Sequence, residues 1–416
     1  MRIVIVAQNA STNFGGESLL PVNYFRILRS RQIETWLVTH GRTQAELEAL
    51  FPEDVDRMHF VPDTWVHKLL NNLGLLLPVR VSQPTLGLLS HLYTQTIQRR
   101  IVLNLVKKHQ IEVVHEPTPV SAKFPSLMFG FSVPVVIGPL NTDVKFPPAF
   151  SSRQSPLVDM VVGFAYQFVN LFNRLLPGKI KAETVLVAND RTAKALPSGV
   201  GGKIIQLVEN GVDLSVWLSD STPSKQPKQQ VHFVSLGRLV DWKGVDLLLE
   251  AFAAVVGQTD AVLEIIGDGK IRGELEAQTA RLAIEDRVIF SGWLSQEQCA
   301  QRMQQADAMV MPSLREPGGA VVMEAMAVGL PVIATNWGGP VDYLDSTCGI
   351  LVEPDSPEGF VKGLTNAMLK LAQSPELRQS MGSAGSSRVR ENFDWERKVD
   401  RMIEIYQQTI DTCHKH

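Results

Sequence analysis

Cysteine is scarce. Cys299, Cys348 and Cys413 are the three in 416 residues, none closely paired and none in a C-x-x-C. That spacing excludes a disulfide framework or a zinc knuckle and suits a reducing, cytoplasmic compartment. Long apolar runs are missing too. None reaches the roughly 20 residues that cross a bilayer. The nearest candidate, 158–176, is interrupted by Asp159, Gln167, Asn170, Asn173 and Arg174. The opening run to Ala7 is too brief for a signal peptide and is followed at once by Gln8 and Asn9, so it reads as a buried strand. There is no basic excess. A net charge of -3 and a pI near 6.3 give no footprint for nucleic acid. No His/Cys/carboxylate group has metal-ligand spacing, and no G-x-S-x-G elbow occurs.

What is present is an ordinary globular composition, 44% hydrophobic and 20% charged, in a chain too long for one core. Short β-branched runs at 3–7, 35–39, 113–115, 133–137 and 185–188 read as strands, with helices over 25–31, 86–108 and 157–176. The second half repeats the theme. Strands fall at 231–237, 262–267, 288–291, 308–312 and 331–335, and helices at 245–256, 270–282, 296–306 and 321–328. Apolar runs without alternation suit parallel strands buried on both faces. The pattern predicts an α/β protein of two Rossmann-like domains. The segment 217–230 is polar, holds two prolines and reads as a linker. The expected division is 1–207 for the first domain and 208–394 for the second. A final helix near 396–410 would return residues 395–416 to the first domain.

Five places can carry chemistry. The densest is 316–331, where Glu316, Gly318 and Gly319 precede a helix start at Ala320 and Val321, with Glu324 inside the helix. Glycines admit close backbone approach, and the unpaired N–H groups of a helix tip suit a phosphate. Two carboxylates there can grip sugar hydroxyls. Both could instead be ordinary charges near a helix start. Glu324 argues otherwise, because its neighbours are apolar all round and a lone acid among them needs a partner. Next, a strand feeds Gly237, then Arg238, with Lys243 five residues on. A fork and a point charge at a strand end suit a diphosphate. Gly15 and Gly16 follow the first strand and open a helix, as in phosphate-approaching turns, though such glycines often serve packing alone. His115 ends a strand of the first domain and could bond a sugar hydroxyl, or be structural. Gly267 begins a Gly-x-Gly-x-x-x-Gly run to Gly273, one residue longer than the dinucleotide fingerprint, and a loop facing the donor nucleotide is an equally consistent reading.

Together these residues resemble the retaining glycosyltransferases of family 4, which have the GT-B fold, two Rossmann-like domains facing each other across a cleft. Glu316 and Glu324 match the family's Glu-x7-Glu motif, Arg238 and Lys243 its pyrophosphate pair, and Gly338-Gly339 a following glycine pair. Glu209-Asn210-Gly211-Val212-Asp213 is similar to the family's Pro-Asn-Gly-Val-Asp turn, with Glu209 in the proline's place. Gly15-Gly16 matches its glycine loop and His115 a histidine near the donor sugar. Glu316-Pro-Gly-Gly stands where Glu-Gly-Phe-Gly is commoner. The resemblance implies a nucleoside-diphosphate sugar as donor, UDP- or GDP-linked, retention at the anomeric carbon, and neither metal nor cofactor. It also implies acceptor binding by the first domain. Asp54-Val-Asp56 has the Asp-x-Asp form of metal-dependent glycosyltransferases but precedes a strand-like run and reads as solvated.

The acceptor is weakly encoded. Between Asp63 and Gln110 lie six cations and leucines, an amphipathic stretch that could contact an anionic membrane. Packing of its apolar face on the first sheet is the favoured alternative. Other classes remain open: a nucleotide-sugar epimerase, a pyridine-nucleotide oxidoreductase resting on the glycine run, or a non-catalytic binding protein.

Overall fold

The computed structural model describes residues 1–13, 16–77, 79–142, 144–153, 160, 163, 168–218 and 230–414. Two compact units emerge. One comprises Met1–Thr142, Ser155–Asn210 and Lys398–His416; the other comprises Asp143–Gln154 and Gly211–Arg397.

The first unit is built on a seven-stranded parallel sheet. Its strands are β1 (Arg2–Val6), β2 (Glu34–His40), β3 (Met58–Val61), β4 (Val113–Glu116), β5 (Val135–Leu140), β6 (Thr184–Val187) and β7 (Lys203–Gln206), in the order β3-β2-β1-β4-β5-β6-β7. Central strands are buried throughout, as Val- and Ile-rich parallel strands must be when both faces are covered. β3 is the strand-like run that follows Asp56, and β7 was not among the strands expected from the sequence. β3 is four residues long, and β7 is almost wholly exposed, so neither carries the apolar run that marks a central strand. The first helix, Gly16–Ser30, is longer than the expected 25–31. Of the expected helix at 157–176, Val169–Leu175 is described as helix and most of the earlier part lies outside the described residues.

The second unit has a six-stranded parallel sheet. Its strands are β8 (Val231–Leu236), β9 (Ala261–Ile266), β10 (Val288–Gly292), β11 (Ala308–Met311), β12 (Val332–Thr335) and β13 (Gly349–Val352), in the order β10-β9-β8-β11-β12-β13. β13 also went unexpected; it is four residues long and begins with glycine. Phe146 and Phe150 join this unit's core although they precede it in sequence. Trp217, the first residue of the expected linker, is buried at the end of the turn of helix Leu214–Trp217; residues 219–229 lie outside the described residues. No helix among the described residues is long and apolar enough to cross a membrane.

The last helix, Trp395–Cys413, belongs to the first unit from Lys398 onward. Tyr406 donates its hydroxyl hydrogen to Nδ1 of His115 (2.7 Å), whose Nε2 donates to the Gly138 carbonyl (2.7 Å). Thr409 meets Thr184 of β6 at 2.8 Å. Burial holds the His115 ring down at a pKa of about 4. The ring therefore stays neutral in the fold while it titrates near 6.5 when unfolded. Its stabilising contribution is whole above pH 6.5 and is lost as pH falls toward 4. Urea unfolding of wild type and His115→Gln at pH 7.5 and pH 5 should show wild type losing about 2 kcal/mol relative to the variant between the two. An unchanged gap would contradict this assignment.

Candidate active site

In the second unit β8 is flanked by β9 on one side and β11 on the other. From this pair the strand order proceeds outward to opposite sides of the parallel sheet, so the carboxyl ends of β8 and β11 form a topological switch point. Open parallel sheets bind ligands at such crevices. The chain leaving β8 supplies Gly237 and Arg238, then the turn Asp241–Lys243, then helix Val245–Val256. The chain leaving β11 supplies Ser313, Glu316, Gly318 and Gly319, then helix Ala320–Ala327. The two loops are laced together: the Leu314 N–H donates to Trp242 O at 2.9 Å, and Lys243 Nζ forms an ion pair with Glu316 Oε2. Arg238, Lys243, Met311 and Ser313 line one pocket with Ser235 and Gly237.

Gly319 caps the helix with φ 95°, a left-handed conformation that glycine adopts without strain. No side chain caps this helix start and no acid lies in its first turn, so the N–H groups around Ala320 and Val321 are not served from within. Glu324 follows one turn in. Its helical neighbours Val322, Met323, Ala325 and Met326 are buried. Burial alone pushes its carboxyl up to about 7, with neither a cation nor a hydrogen bond opposing the shift. Ser313, which motif reading passed over, presents a buried hydroxyl without a partner among the described residues. Its position directly after the β11 run and Pro312 was the available signal.

Gly267 lies beside this site but is spent on packing. Its N–H donates to Gly292 O at 2.7 Å, and a side chain there would collide with the Gly237 carbonyl. The run toward Gly273 therefore offers no free amide at its first glycine, which removes the physical ground for a dinucleotide turn.

In the first unit the sequence-derived sites fare differently. Gly15 lies outside the described residues. Gly16 opens helix Gly16–Ser30 in a spot where an added Cβ would meet nothing within 4 Å, so packing does not demand glycine there. His115 needs correction. It is fully buried and both ring nitrogens are engaged by Tyr406 and Gly138, which leaves none for a sugar hydroxyl. Asp54 is not solvated either: it accepts from Arg29 Nε at 2.7 Å.

Although the sequence shows no metal spacing, the fold gathers His40, Asp63 and His67 within reach of one ion. The hydrogen bonds run against that use. His40 Nδ1 accepts from the N–H and Nε of Arg42, both at 3.2 Å, which leaves the proton on Nε2, and the Arg42 charge sits beside the group. A buried pair, Glu116 and Lys179, also escaped sequence reading. Burial drives each toward its neutral form, and Ser126 Oγ donates to Glu116 at 2.5 Å.

Residues 219–388 match the family described as Glycosyl transferases group 1. The match falls within the second unit. Among curated relatives, a D-inositol 3-phosphate glycosyltransferase of Streptomyces griseus is 33% identical over 181 residues, 41% of this chain and 37% of the relative. An N-acetyl-alpha-D-glucosaminyl L-malate synthase of Bacillus anthracis is 31% identical over 217 residues, 50% of this chain and 55% of the relative. The chain spans about half or less of the curated relatives it matches. Among solved structures, the Anabaena protein HepE in complex with UDP superposes with a TM-score of 0.65 at 18% identity, covering 98% of this chain and 100% of that one. The fold is the GT-B glycosyltransferase fold, with two Rossmann-like units.

The Glu324 carboxyl has a signed consequence. With its pKa raised, stability is whole below about pH 4.5 and is lost as pH rises through 7. Glu324→Gln should therefore raise the stability of the ligand-free protein at pH 8 by about 1–3 kcal/mol, with no gain at pH 4.5. Thermal melts at the two pH values measure it; a loss of stability at pH 8 would show that the carboxylate already has a partner.

Proposed function

We propose that this protein is a retaining, metal-independent glycosyltransferase. It moves a sugar, a hexose in this reading, from a nucleoside-diphosphate sugar to a hydroxyl of a glycan, a lipid-linked glycan or a small molecule. The supporting observation is the switch point of the second unit, where Arg238 and Lys243 stand with Glu316, an uncapped helix tip and an unpaired Glu324. The neighbour solved with UDP and the relatives named as glycosyltransferases support the donor class.

In this reading the pyrophosphate draws Lys243 away from Glu316. Arg238, Lys243 and the N–H groups at Ala320 and Val321 then hold the phosphates, with Gly318 and Gly319 letting the backbone approach. Freed from the ammonium, Glu316 accepts from a donor-sugar hydroxyl. Glu324 accepts from the ribose hydroxyls, which repays the cost of burying its charge. As the bond from the anomeric carbon to the diphosphate oxygen breaks, negative charge grows on the leaving group. The two cations and the helix tip stabilise it, a role a divalent ion fills elsewhere. The acceptor oxygen bonds the anomeric carbon from the same face, and its proton passes to the departing phosphate oxygen. The first unit supplies acceptor recognition, and Gly15 and Gly16 are assigned to the donor.

Thermal-shift screening against UDP- and GDP-sugars should find one donor that raises the melting temperature, since ligand binding to the folded state stabilises it by mass action. With that donor, Lys243→Ala should lower kcat by about 10²–10³-fold, the loss expected for one preorganised group acting on transition-state charge. Proton NMR of the product should show retained anomeric configuration. Inversion, full activity of Lys243→Ala, or sugar conversion without any acceptor would each count against the reading.

A further inference from the structure

Polar atoms without partners gather where strands of the first sheet end. His40 ends β2, Asn9 follows β1 and Thr118 follows β4, and each keeps a buried polar atom without a partner among the described residues, as Ser313 does after β11. Around His40 the geometry is defined. Its ring is fully buried, and Nε2 stands 4.0 Å from Oδ1 of Asp63, beyond hydrogen-bond reach. Nδ1 of His67 stands 4.0 Å from the same oxygen, and one ligand atom of each of the three residues lies within 4.8 Å of the others. His67 is the buried residue of helix Trp65–Leu75, while Trp65, Leu69 and Leu73 are exposed. The favoured expectation that the apolar face of 63–110 packs on the sheet fails for this helix, whose inward group is an imidazole.

The partners fix the protons. Thr94 Oγ1 donates to Ser90 O at 2.9 Å, so His67 Nε2, 3.0 Å from that hydroxyl, is the donor of their pair. Nδ1 of His67 then holds the lone pair, which accepts the Thr64 N–H at 3.2 Å. His40 is the same tautomer, with Nδ1 taken by Arg42. Burial holds both rings toward the neutral form. The cluster thus offers one unpartnered N–H and one carboxylate, with both imidazole lone pairs spent. A cation would need those lone pairs, and an anion would face the Asp63 charge. A hydroxyl meets both needs at once, accepting from His40 and donating to Asp63. An oxygen about 2.8 Å from each atom spans their separation. Asp63 is half exposed, so the gap opens to solvent. We infer that His40 and Asp63 grip a hydroxyl of an uncharged polyol, which is the acceptor. Its role as acceptor rests on the transferase reading; its binding does not.

Nitrogen-15 NMR of the full chain, labelled at histidine, reads the His40 Nε2–H directly. Glucose, mannose, N-acetylglucosamine and myo-inositol are titrated in turn, and at least one should shift that signal while the His115 ring stays unmoved. Asp63→Ala should weaken this titration about tenfold, and Asp63→Asn, which keeps an acceptor oxygen, should recover most of it. The melting temperature should hold in both variants. With the same polyol as acceptor, Asp63→Ala should raise its KM by a similar factor, with kcat and the donor-induced thermal shift held. A polyol that binds at His40 but receives no sugar overturns the acceptor role; if no donor yields transfer at all, the transferase reading fails while the titration stands. No response to any of the four leaves water as the occupant and overturns the inference. So does a tighter response to glucose 6-phosphate than to glucose, or zinc binding that displaces the His40 proton.

Discussion

Within each unit all strands run the same way, and that constraint governs what each unit can do. A parallel sheet with both faces covered admits polar groups along its strands where they find partners, as His115 does. Polar side chains collect where the strands end, and all carboxyl ends open on one edge. In the second unit the strand order reverses beside β8, so two loops diverge there and leave a crevice. Arg238, Lys243, Ser313 and Glu316 stand at that crevice because of strand direction and order, across some 78 residues of chain.

The crevice without ligand is electrostatically incomplete. Lys243 neutralises Glu316, but Glu324 stays half-buried with its charge opposed only by desolvation. A group left costly in the empty state gains most from a ligand that donates hydrogen bonds to it. The first unit treats its buried ionisable groups differently. His115 is satisfied on both nitrogens, Glu116 accepts from Ser126 and Gln95, and Lys179 donates to Ser121 O. Those groups are satisfied within the fold, whereas the Glu324 carboxyl of the second unit is opposed by burial alone.

Much of the site was legible along the chain because its parts are short local patterns. A glycine pair before an apolar helix, an acid stranded inside it, and two cations after a strand keep their meaning wherever the fold puts them. Failures came where meaning depends on distant neighbours. His115 looked free until Tyr406 reached it from 291 residues away. Gly267 looked like a phosphate turn until the Gly237 carbonyl occupied the space beside it. The apolar stripe at Trp65 looked like core, since periodicity tells that a helix has two faces and not which one turns inward.

The sequence by itself determined the alternation of buried strands and helices, hence two parallel α/β units, and the residue types able to meet a diphosphate and sugar hydroxyls. These follow from local sterics and from the cost of exposing apolar runs or burying lone charges. Tertiary structure alone decided the strand order, the short edge strand β7, the placing of Phe146 and Phe150 in the second core, and which polar groups were already paired. Such outcomes depend on contacts between residues far apart in the chain, and no local pattern encodes them.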